Sequence, residues 1–198
     1  MTLHSETQQL AISRYQAACS AFDGGDRSAA FLLLQEALKL FEQTGDCCAE
    51  ALSGMAEVLF LDGEHARALE SWEQALLLDT TGDTRARSMT LDKMGRASAN
   101  LGRWPQALEL WRQALEFDRV IGNVRNQAIT MENMARACAT LGDGTAALAL
   151  WKEAMPLAEA SGDLGVQIQL LRGMARAHFE QDEVRQAFRV LAARLRVD

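Results

Sequence analysis

A stripe of small and large apolar residues returns along the chain at helical spacing. Ala68, Trp72, Ala75 and Leu76 recur as Ala107, Trp111, Ala114 and Leu115, then as Ala147, Trp151, Ala154 and Met155. Steps of three and four residues put each set on one face of an α-helix. The alanines let a second helix come close, and the tryptophan fills the space beside them, so the stripe reads as core. Weaker copies stand at Ala30, Leu34, Ala37 and Leu38, and at Ala187 and Leu191.

Between these stripes runs a second pattern. Met94-Gly95-Arg96-Ala97 returns forty residues on as Met134-Ala135-Arg136-Ala137, and forty further as Met174-Ala175-Arg176-Ala177, with a fainter copy at Met55-Ala56-Glu57-Val58. Self-similarity at such a period marks a stacked-repeat protein, in which each unit packs on its neighbours along one continuous body. The punctuation agrees. Gly45-Asp46, Gly82-Asp83, Gly122-Asn123 and Gly162-Asp163 each close a long helical pattern, with Gly25, Gly63, Gly102 and Gly142 midway and Asp182 in the last copy. Glycine ends a helix in the left-handed conformation, and the acid or amide after it can cap the next.

The stops predict ten helices in five hairpins: 5–22 with 26–43, 46–62 with 65–79, 83–101 with 104–120, 123–141 with 144–161, and 163–181 with 183–196. Pro156 falls inside the eighth, where it removes a hydrogen bond and is expected to kink or shorten the helix.

The order Gly95, Gly102, Ala107, Trp111, Ala114, repeated as Ala56, Gly63, Ala68, Trp72, Ala75 and as Ala135, Gly142, Ala147, Trp151, Ala154, resembles the tetratricopeptide pattern. The period is longer than the usual one of the family. It is similar to the subclass with forty-residue repeats found in cell-polarity adaptors, kinesin light chains and bacterial peptide-sensing regulators. The resemblance implies an all-α, right-handed superhelical solenoid of five hairpins, one domain over residues 1–198. It also implies that first helices line a concave groove while second helices form the outer wall.

Composition narrows the function. The net charge of −7 disfavours nucleic acid as a partner, because phosphate binding needs a basic face. That deficit sits in residues 1–99, and the second half is neutral, so an anion-seeking surface belongs there. The polar start of the chain lacks the apolar core of a signal peptide, and no apolar run approaches a membrane span. Four cysteines at irregular places suggest no disulfide framework. The expectation is a cytoplasmic chain with no membrane partner.

If the tetratricopeptide resemblance holds, Arg96, Arg136 and Arg176 occupy one groove position in three consecutive units. Helices packed about 8–10 Å apart would make them a ladder, and guanidinium suits bidentate recognition of carboxylates. Asp92 and Glu132 stand four residues before Arg96 and Arg136, the order that favours an ion pair. Arg172 replaces an acid before Arg176, and Glu180 follows it. Asn133, Gln169, Lys93 and Asn100 are the polar neighbours. The candidate peptide-binding residues are therefore Arg96, Asn133, Arg136, Gln169, Arg172 and Arg176, and the expected ligand is an acidic segment of a partner protein. Glu50 and Glu57 reverse the sign earlier in the chain and would orient a bound peptide. Asp92 and Gly173 stand where the chaperone-binding members of the family carry clamp residues, which argues against that role.

Catalysis finds no support. His4, His65 and His178 are scattered, and no metalloprotease, nucleophile-elbow or phosphate-loop motif occurs. Cys138 and His178 fall at equivalent positions that normally fill the core, and Cys47-Cys48 has too few neighbours for a closed zinc site. No metal or cofactor is expected, and no enzyme. Two other readings stay open. Val184, Phe188, Leu191 and Leu195 form an apolar stripe at the chain's end that could drive homo-oligomerisation, and the convex wall could bind an enzyme as a regulatory subunit.

Overall fold

The computed structural model describes residues 3–45 and 48–180. Every element among them is an α-helix, and the chain divides into two compact units, Met1–Gly82 and Asp83–Asp198. The first unit holds α1 (Leu3–Asp23), α2 (Arg27–Thr44), α3 (Cys48–Leu61) and α4 (His65–Leu78). The second holds α5 (Thr84–Asn100), α6 (Trp104–Val120), α7 (Val124–Thr140), α8 (Gly144–Ser161) and α9 (Leu164–Glu180). Helices pair in sequence order as α1–α2, α3–α4, α5–α6 and α7–α8, and α9 packs on both α7 and α8. The tenth predicted helix, 183–196, lies outside the described residues, as do its apolar stripe from Val184 to Leu195, Asp182 and Cys47.

The turns follow from the punctuation. Gly102 and Gly142 take φ of 73° and 87°, a conformation other residues adopt only with strain. The caps are filled as the sequence predicts. Asp83 accepts hydrogen bonds from the amides of Arg85 and Ala86, Asn123 from that of Asn126, and Asp163 from that of Val166. These bonds, with Arg125 held against it at 2.7 Å, keep the Asp163 carboxyl below its ordinary pKa, the Val166 amide contributing most.

Pro156 does not shorten α8, which runs on to Ser161. The ring deprives the Lys152 carbonyl of its helical donor, but both residues are exposed, so water can take the missing bond.

In the first unit, Ala11, Ala37, Phe41 and Ala51 form one buried cluster and Ala18, Ala30, Leu34 and Val58 another. The second unit buries a larger, continuous core that includes Trp111, Leu115, Met131, Trp151, Leu170 and Met174. Trp72, Trp111 and Trp151 are 1%, 2% and 3% exposed, so the aromatic stripe is core. A polar pair is buried with it. Ser88 on α5 donates to Asp118 on α6 at 2.7 Å, and the Gln127 amide donates to the Asp118 carbonyl at 3.1 Å. Burial pushes the Asp118 carboxyl above its ordinary pKa despite the bond from Ser88 and the nearby charge of Arg85. Forty residues on, the same two places are Ala128 and Ala158, both fully buried.

That comparison yields a prediction. Ser88→Ala alone leaves a buried carboxylate short of a donor and costs about 1–2 kcal/mol. Ser88→Ala with Asp118→Ala, which copies the next repeat, costs less than the two single changes added together. Urea unfolding of the four proteins measures it, and strictly additive losses would show that the pair is not coupled.

Candidate functional site

Arginines recur on α5, α7 and α9 because Met-x-Arg-Ala recurs, and the repeat keeps methionine and alanine inward while arginine faces out. Met94, Met134 and Met174 are buried, as are Ala97, Ala137 and Ala177, whereas Arg96, Arg136 and Arg176 are exposed. The second unit gathers four of the six candidate residues around one cavity of about 810 Å³. Arg136 and Glu132 reach it from α7; Gln169, Arg172, Gly173 and Arg176 from α9; Trp151, Gly144 and Thr145 from α8. Among the described residues, three arginines and one carboxylate thus line it, with Gln169, Thr140 and Thr145 as neutral hydrogen-bonding groups.

The wall is polar and the floor aromatic. An added Cβ on Gly173 would lie 2.4 Å from Cε2 of Trp151, so α9 rests its bare backbone on the indole. The indole N–H meets no acceptor among the described residues. The sequence reading treats Trp151 as core alone. It is core, and the residue also borders the cavity.

Glu132 departs from the exposed ion pair that its spacing suggests. Its side chain is 8% exposed while that of Arg136 is 62% exposed, with Arg136 Nη1 at 3.6 Å from Glu132 Oε2. Burial holds the Glu132 carboxyl above its ordinary pKa in spite of the Arg136 charge and hydrogen bond. Among the described residues no carboxylate stands within ion-pair distance of Arg172.

The remaining two candidates sit elsewhere. Arg96 lines a separate cavity of about 250 Å³ between α5, α6 and α7, with Lys93, Asp92 and Asp118. Asn133 lines neither cavity. Its amide donates to Asp92 Oδ1 at 3.3 Å, spanning α7 to α5. Burial raises the pKa of Asp92, partly offset by Arg96 and by that bond. Asn133 therefore acts as a structural tie, and Arg96 answers to the carboxylates beside it.

Cys138 is partly buried against the core, and burial pushes its thiol up in pKa, which disfavours the reactive thiolate. Among the described residues no group of three or more His, Cys, Asp or Glu side chains could hold a metal ion, and no helix is long and apolar enough to cross a membrane. Glu50 and Glu57 belong to the first unit.

Comparison with known proteins gives concordant results. The sequence model described as Tetratricopeptide repeat matches residues 47–120 and 86–160. The chain is 33% identical over 113 residues to the photosystem I assembly protein Ycf3 of Synechococcus sp. (strain CC9605), and 32% identical to that of Parasynechococcus marenigrum (strain WH8102). These matches cover 52% of the chain and 65% of each relative, so the chain spans less than two thirds of the length of the curated relatives it matches. A kinesin light chain of Podosopora anserina with TPR-like repeats superposes with a TM-score of 0.75 at 17% identity, over 97% of this chain and 99% of that one. MamA of Desulfovibrio magneticus RS-1 gives 0.74 at 14% identity over 95% and 97%. Aspartyl phosphate phosphatase F of Bacillus subtilis gives 0.79 at 12% identity over 96% and 51%. Identities this low speak for the fold alone.

Proposed function

The chain belongs to the tetratricopeptide repeat family, and from that premise we propose that it is a non-enzymatic adaptor or scaffold that holds an acidic segment of a partner protein in the α7–α9 cavity. The fold is that of a protein–protein interaction module. What supports the finer reading is one observation: Arg136, Arg172 and Arg176 line a single cavity in which, among the described residues, the one carboxylate is Glu132, held by Arg136. Guanidinium forks match carboxylate geometry, and arginines gathered on one partly enclosed site favour an anion. Gln169 and the two threonines supply bonds for the backbone of the segment. A partner-holding role also accords with the curated relatives, which are named for the assembly of photosystem I.

The test is a random peptide library displayed on phage, selected against the wild type and against Arg136→Glu/Arg172→Glu/Arg176→Glu. The wild type is expected to enrich acidic sequences. The reversed protein, with helicity unchanged by circular dichroism, should bind those peptides at least about tenfold more weakly. Enrichment of basic or purely apolar peptides, or equal binding by both proteins, overturns the reading.

A further inference from the structure

We infer that Glu132 is a built-in competitor for the anion that the cavity receives: it holds Arg136 in the free protein, and a ligand carboxylate binds by taking its place. The inference rests on the acidic-segment reading of the cavity and names the residue that sets its affinity.

The asymmetry of the pair carries the argument. Arg136 is 62% exposed at its side chain and can turn on its long stem toward the opening, whereas Glu132 is 8% exposed and held in the wall. A carboxylate arriving beside Arg172 finds Arg136 within the same cavity, held by Glu132. Exchange keeps one carboxylate on Arg136 and leaves Glu132 buried without that partner. The cost is charged to every binding event, so the free protein rejects weak or singly charged anions and admits segments that also engage Arg172 and Arg176.

The surroundings decide what happens to Glu132 next. Facing it in the cavity are Arg136 from its own helix and Arg172 and Arg176 from α9; α8 contributes Trp151 and no ionisable group. From α5 and α6, Asp92, Lys93, Arg96 and Asp118 line the other cavity, and Arg112 acts on Cys138 of α7. When Arg136 leaves, the attraction that lowers the Glu132 pKa weakens while the burial that raises it remains, so Glu132 takes up a proton more readily in the complex. A group that gains a proton on binding makes binding stronger as pH falls, by linkage. Affinity therefore rises from neutral to mildly acidic pH, until the ligand's own carboxylates protonate near about pH 4.

The experiment titrates fluorescein-labelled octaglutamate into wild type, Glu132→Gln, Arg172→Glu, and Glu109→Gln as a control that removes a negative charge from the exposed side of α6. Glu132→Gln is expected to bind roughly fivefold tighter than wild type at neutral pH, and to lose the gain on acidification, while Glu109→Gln follows the wild type. Equal or weaker binding by Glu132→Gln, with Arg172→Glu impaired, overturns the competitor and leaves the site standing. Equal binding by wild type and Arg172→Glu, or no binding by wild type and Glu132→Gln alike, overturns the site and the competitor together. Should Glu132→Gln fail to fold, calorimetry of the wild type in two buffers of different ionisation enthalpy decides: proton uptake at mildly acidic pH supports the exchange, and its absence overturns it.

Discussion

Trp151→Ala is expected to lower the stability of the second unit by about 3–5 kcal/mol, near the upper end for a buried side chain. The indole is 3% exposed within the continuous core of that unit. The neighbouring helix offers nothing to fill the gap, because the residue seated on the ring is Gly173, and an added Cβ there would stand 2.4 Å from the indole. The void therefore stays open unless α9 moves bodily, and such a movement would disturb Gln169, Arg172 and Arg176 together. Urea unfolding followed by far-ultraviolet circular dichroism measures the loss. A change under about 1 kcal/mol would mean that the ring is not a structural member of this core.

The second large effect has a sign that depends on place. Alanine in place of glycine inside a helix normally adds about 0.5–1 kcal/mol of stability. Gly54→Ala on α3 should show that gain, since the new Cβ meets only the methyl end of Leu34, at 3.0 Å, which can turn aside. Gly95→Ala on α5 should instead cost about 1–3 kcal/mol. Its Cβ would fall 2.5 Å from Nε1 of Trp111 and 2.8 Å from two ring carbons, and a rigid ring 2% exposed has nowhere to go. Paired thermal melts of the two variants test this, and a raised melting temperature for Gly95→Ala would refute the close approach.

Those two glycines also mark how far the sequence could be followed. The helices were legible because the glycine-acid punctuation recurs with the forty-residue step, and because a tryptophan flanked by alanines has few places to go except inward. The common face of Arg96, Arg136 and Arg176 was legible for the same reason. Their separation into two cavities was not, because the residues around them vary from one repeat to the next. Lys93, Asn133 and Gly173 stand forty residues apart at one place in the repeat. Gly173 leaves room for the Trp151 ring and the large cavity, whereas Asn133 fills its place and bonds across to Asp92. Helical periodicity assigns a face but not the depth of a side chain within it, which is why Glu132 reads as a surface partner of Arg136 and proves buried. Ser88 and Asp118 stayed hidden because a hydroxyl and an acid on different helices carry no periodic signal. Pro156 kept its helix because the exposed side of α8, where water can serve the carbonyl, was invisible to a rule about backbone donors.

The buried bond between Ser88 and Asp118 has a consequence for the lineage of such a chain. Repeated sequences grow and shrink by whole units, and a forty-residue excision within residues 83–162 preserves the helical phase wherever it begins. It does not preserve the chemistry. A cut that removes both Ser88 and Asp118 leaves the all-alanine arrangement of Ala128 and Ala158 intact, whereas one that starts between them keeps the hydroxyl and sets it against Ala158. The polar pair thus acts as an index mark, making one junction in the series unequal to the next.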